Sequence, residues 1–106
     1  MKLTMPFLAA SAALGLGAAH AQDADPASGE TIYSAICANC HGPSGRGMAS
    51  FPALAGQSAD YIASRLMQYR AGEKVGPNSA LMMPNAADLS DAEIASLAAF
   101  VETGFQ

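Results

Sequence analysis

Tryptophan is absent from this 106-residue chain, and the remaining aromatics are three tyrosines and four phenylalanines. Lys and Arg together number five, against nine Asp and Glu. So few cations leave no footprint for the phosphate backbone of a nucleic acid. There are two cysteines and two histidines. A zinc site built from two cysteine pairs is therefore out of reach. No stretch reads as a strand and no internal repeat is visible. The one long apolar run, Phe7 to Ala19, is short for a membrane span.

That run fits another purpose. Lys2 puts a positive charge ahead of it, and Ala19-His20-Ala21 follows as a small-x-small cleavage site. This order is that of a secretory signal peptide; an uncleaved N-terminal anchor is the competing reading. Cleavage after Ala21 removes residues 1–21 and leaves one domain, 22–106, with nothing to hold it in a membrane. The released part keeps Arg46, Arg65, Arg70 and Lys74 beside all nine acids, a formal charge of −5. Such a surface favours partners with a basic docking face, or simply keeps the protein in solution. A domain this small commonly needs a disulfide, a metal or a cofactor to complete its core. Its apolar inventory is rich in Ala and poor in large side chains, so a large apolar group is expected from outside the sequence.

Cys37-Ala38-Asn39-Cys40-His41 supplies the place for one. C-x-x-C-H is the haem-attachment signature. Residues three apart share a helix face, so both thiols can add to the vinyl groups on one side of a porphyrin. His41 follows directly and can reach the iron. Three other readings compete. A redox dithiol wants a strand-helix-strand setting, which is missing. A zinc half-site lacks its other half. A structural disulfide suits an exported protein but leaves the adjacent histidine unexplained. His41 is the only histidine beyond the leader, so a second axial ligand from this chain is not histidine. The thioethers of Met48, Met67, Met82 and Met83 remain as candidates.

Capping and periodicity predict three main helices. Asp25 caps the first with Pro26 at its first position, and Gly29, Ile32, Tyr33, Ile36, Cys37 and Cys40 form its stripe. Residues 42–57 are turn-rich and irregular, without the G-K-[ST] of a phosphate loop. Ser58 caps a second helix that runs to about Ala71 and stops at Gly72. Its stripe is Tyr61, Ile62, Arg65, Leu66 and Tyr69. The two tyrosines and Arg65 are placed to meet haem propionates, although core aromatics and a solvated arginine are the more ordinary readings. Residues 73–84 read as a loop that carries Met82 and Met83. Ser90 and Glu93 form a capping box and Leu89 with Ile94 a hydrophobic staple for the third helix, which ends at Gly104.

Three segments carry a family likeness: Cys-Ala-Asn-Cys-His-Gly at 37–42, Pro-Ala-Leu-Ala-Gly-Gln at 52–57, and Met82 through Phe100. Over nearly all of residues 25–104 the chain resembles the small class I c-type cytochromes of bacterial periplasms. The resemblance implies an all-α class I cytochrome c fold, three main helices with irregular loops around one haem c attached through Cys37 and Cys40. It implies His41 and Met82 as metal ligands, Met82 lying seven residues before Leu89, with Met83 where the family often has a small residue. It implies that the Pro52 carbonyl accepts the His41 Nδ1 proton, and that Gly29 and Tyr33 cross the last helix at Phe100, where the family often has Tyr. It implies no enzymatic activity but single-electron shuttling between redox protein partners in the periplasm, through a haem edge near Cys37 and Cys40. His/Met ligation raises the potential. A haem subunit of a periplasmic dehydrogenase is the alternative. A sensor or peroxidase with a vacant sixth position is opposed by the lack of another histidine.

Overall fold

The computed structural model describes residues 24–105, together with Lys2 and Thr4. Apart from these two residues, the expected export signal over 1–21 and its cleavage site lie outside the described residues.

The first helix begins as its capping residues require. Asp25 is extended (φ −111°), its Oδ1 accepts from the Ala27 amide at 3.1 Å, and Pro26 holds the first helical position. Helix α1 spans Pro26–Ile32. The chain then widens into a π-helical segment, Tyr33–Cys37, and tightens again as α2, Ala38–His41. A π turn holds more residues than an α turn, so the side chains after it are rotated relative to an unbroken α-helix. Helix α3, Ala59–Arg70, starts at Ser58, whose Oγ accepts from the Tyr61 amide. Helix α5, Asp91–Gly104, starts with the expected reciprocal box between Ser90 and Glu93, at 2.9 and 3.1 Å.

One expectation needs correcting. The Met82–Met83 pair sits not on a loop but on a further helix, α4, Ser79–Ala86. Gly76, Pro77 and Pro84 argued for irregular chain, yet Ala80, Leu81, Met82 and Met83 are good helix formers. Ser79 closes the preceding turn by accepting from the Val75 and Gly76 amides at 2.9 and 2.8 Å. Pro84 has no N–H to donate to the carbonyl of exposed Ala80, so the helix runs on without that bond. Asn85 Nδ2 meanwhile donates to the Leu81 carbonyl at 3.0 Å.

Helix α5 is the spine. Helix α1 crosses it, and α3 packs along it and against α4. Polar ties fix its neighbours in place: Asp25 N donates to Ser96 Oγ, Ala59 N to Glu102 Oε2, and Arg70 pairs with Asp91 at 2.7 Å. At the crossing, Gly29 lies directly on the Ser96 backbone carbonyl, and a Cβ there would also fall 2.9 Å from Phe100 Cβ. Tyr33 packs one turn on, against Phe100 and Phe105 at centroid distances of 5.5 and 4.9 Å. The remaining core is Ile62, Leu66, Ile94, Leu97, Ala98 and Val101. Gly29→Ala is expected to destabilise the fold by about 3 kcal/mol, the upper end for overpacking, because backbone rather than a movable side chain blocks the new methyl. Chemical denaturation of the two proteins checks this; equal midpoints would contradict the close crossing.

Candidate cofactor site

Five of the seven clustered core residues, Tyr33, Ile62, Leu66, Leu97 and Val101, have a second face on a cavity of about 380 Å³. The core is thus built around a space. Its wall is mainly apolar and is drawn from every described element after α1. The π segment and α2 give Cys37, Cys40 and His41, the 42–57 loop gives Phe51 and Pro52, and α3 gives its whole predicted stripe. Helix α4 gives Leu81 and Met82. Met83 is not on the wall, and Met48 and Met67 are exposed side chains away from it. All five sequence-predicted site residues therefore meet at one cavity. Phe51 and Leu81 were not singled out from sequence; each sits next to a residue that was.

The irregular loop aims one carbonyl. Gly47 N donates to the His41 carbonyl at 2.8 Å, and Leu54 N and Ala55 N donate to the Gly45 carbonyl at 2.7 and 2.9 Å. Met48 and Phe51 exchange two backbone bonds across a tight turn in which Ala49 is left-handed (φ 49°). Gly47 is left-handed too (φ 79°), and a Cβ on it would press into the backbone of Phe51, Pro52 and Ala53. The result places the Pro52 carbonyl 2.7 Å from His41 Nδ1. A carbonyl only accepts, so Nδ1 carries the proton and Nε2 keeps the lone pair. The imidazole is buried, with that lone pair available to a metal.

The chemistry of the thiols separates the rival readings. Cys37 and Cys40 are not joined to each other. Burial pushes the Cys37 thiol up to about 11. A redox dithiol works through a lowered thiol pKa, the opposite shift. Among the described residues no three His, Cys, Asp or Glu side chains gather as a metal site. An apolar cavity with two thiols, one oriented imidazole and one thioether on its wall fits a haem.

Known proteins agree with the geometry. The cytochrome c family profile matches residues 26–104. The chain belongs to the cytochrome c family. Cytochrome c-554(547) of Halothiobacillus neapolitanus is 39% identical over 87 residues, which cover 74% of this chain and 96% of that protein. Cytochrome c-554(548) of Halomonas halodenitrificans is 47% identical over 77 residues, covering 72% and 92%. A thiosulfate dehydrogenase electron acceptor of Stutzerimonas stutzeri is 43% identical over 65 residues, 60% of this chain but 30% of that longer protein. Like its family, this cytochrome carries covalently attached haem c, at Cys37 and Cys40, and its function is electron transfer with redox partners rather than catalysis of its own. Among the described residues no helix is long and apolar enough to cross a membrane.

Tyr33 closes the site from behind. Its hydroxyl donates to the Gly42 carbonyl at 2.6 Å, next to His41 in the chain. Burial pushes its pKa up to about 12 from 10.0. The unfolded chain therefore loses this proton before the folded one does. Stability that Tyr33 supplies below pH 10 is lost as the pH rises towards 12. Tyr33→Phe is expected to flatten that alkaline fall in the denaturation midpoint and to cost about 1 kcal/mol at neutral pH. An alkaline limb identical in both proteins would contradict the buried hydroxyl.

Proposed function

We propose that this cytochrome holds its haem iron between His41 and Met82 and shuttles single electrons in the periplasm after removal of residues 1–21. The convergence of Cys37, Cys40, His41, Pro52 and Met82 on one cavity carries the reading. The haem, when bound, would supply the one-electron couple. The protein's part is to keep the surroundings unchanged while it does so. Pro52 holds the His41 ring in one tautomer and one orientation, which also strengthens Nε2 as a donor. Met82 is favoured over Met83 because it lines the cavity and packs against the core cluster. A thioether favours the reduced iron and raises the potential. His41 and Met82 would together hold the iron and leave no position on it open to a substrate. Apolar side chains around the site exclude water and limit rearrangement on electron transfer.

A dehydrogenase as electron donor, or as a complex in which this chain is the haem subunit, is a narrower form of the same reading. Its support is the Stutzerimonas stutzeri relative, whose name makes it the acceptor of such an enzyme. A dehydrogenase that co-purifies under gentle extraction would favour the subunit form.

Proton NMR of the reduced protein tests the ligand pair. A methionine methyl bound to haem iron sits in the strong ring-current field of the porphyrin. Met82→Ala is expected to abolish that upfield methyl signal, and Met83→Ala to leave it in place. The reverse pattern would move the ligand to Met83. The same sample, examined by intact mass, is expected to begin at Gln22; retention of residues 1–21 would contradict cleavage and favour the N-terminal anchor.

A further inference from the structure

Haem brings two carboxylates into whatever cavity receives it, and the wall of this one is nearly free of charge. None of the eight described Asp and Glu residues lines it. Arg65 is the single Lys or Arg that does. The other basic side chains of the domain are accounted for elsewhere. Arg70 is paired with Asp91 at 2.7 Å and donates to the Leu89 carbonyl at 3.0 Å. Arg46 borders a separate hollow beside Glu30 and Phe105, and Lys74 is exposed and off the cavity wall.

Arg65 is also held ready. Its guanidinium carbon lies 5.4 Å from the centre of the Tyr61 ring. Nε approaches the Tyr61 hydroxyl at 3.4 Å, and Nη1 donates to Gln68 Oε1 at 3.2 Å. All three residues sit on α3 at positions 61, 65 and 68, so one helix face fixes the head group. No carboxylate among the described residues pairs with it. Two of five N–H donors are engaged, which leaves three for a planar, bidentate acceptor. Tyr61 accepts from Arg65, so its own proton is free for the same acceptor. A solvated surface arginine, the more ordinary reading of the sequence, has no need of this ordering.

We propose that Arg65, ordered by Tyr61 and Gln68, is the counter-charge for a haem propionate and thereby raises the potential of this cytochrome. The proposal rests on the cavity being the haem site; it does not depend on which methionine binds the iron. An uncompensated carboxylate near the iron favours Fe(III), and a cation beside that carboxylate offsets it.

The test uses the mature holoprotein and its Arg65→Gln and Arg65→Lys variants. Two quantities are read: the midpoint potential and the resonance-Raman bending mode of the haem propionates. Arg65→Gln is expected to shift the reduced-to-oxidised ratio about tenfold towards the oxidised form, about 59 mV for one electron. The propionate mode should move with it. Arg65→Lys keeps the charge but not the planar fork, so most of the potential should return while the mode stays displaced. The optical spectrum of each sample reports axial ligation, so a lost thioether ligand is recognised separately from a lost counter-charge. An unchanged potential with an unmoved mode in Arg65→Gln overturns the proposal. If that variant does not mature, an unmoved mode in Arg65→Lys overturns it as well.

Discussion

Gly29 lies so close to the Ser96 carbonyl that no side chain fits between α1 and α5, and the rest of the structure depends on that crossing. It sets how α1 runs, and therefore where Tyr33 enters the core one turn later. Tyr33 in turn reaches the Gly42 carbonyl and fixes the chain just past His41. From there the 42–57 loop folds back and delivers the Pro52 carbonyl to the imidazole. A contact between two backbones is thus linked, through one buried phenol and one loop, to the orientation of the His41 imidazole.

The second constraint is size. A domain of this length has little core to spare, and most of its clustered core residues turn one face to a cavity. The cofactor is therefore as much a core component as Leu97 or Val101. Stability and function share the same atoms, which is why side chains such as Leu66 serve both. The charges divide differently. Nearly all of them sit away from the cavity, where they act on solution behaviour and encounter. Among the described charged side chains of Asp, Glu, Lys and Arg, Arg65 alone lines the cavity.

Much of this was legible in the sequence because the signals were local. Asp25-Pro26, Ser58, and Ser90 with Glu93 mark helix starts by chemistry that needs no tertiary context, and each cap forms as expected. C-x-x-C-H carried the cofactor in the spacing of three residues. The Pro52 contact came through resemblance, since nothing local tells a carbonyl eleven residues away to face His41. Helix α4 was missed because Gly76, Pro77 and Pro84 punctuate the segment, while the features that stabilise it depend on folded geometry. Ser79 caps the turn from within, and Asn85 reaches one turn back. The π segment was illegible too, because Tyr33–Cys37 carry no local signal that separates a π turn from an α turn. For Arg65 the sequence offers both a propionate partner and a solvated surface residue, because it shows the stripe but not the absence of acids along the same wall.

The central claim is a closed haem site with both axial positions filled by this chain. An optical titration of the dithionite-reduced, unmutated protein with carbon monoxide at neutral pH tests it most directly. The account predicts no spectral change, because a bound thioether occupies the position that carbon monoxide needs. Ready formation of a carbon monoxide complex would contradict it and leave an open iron suited to sensing or catalysis rather than to electron transfer alone.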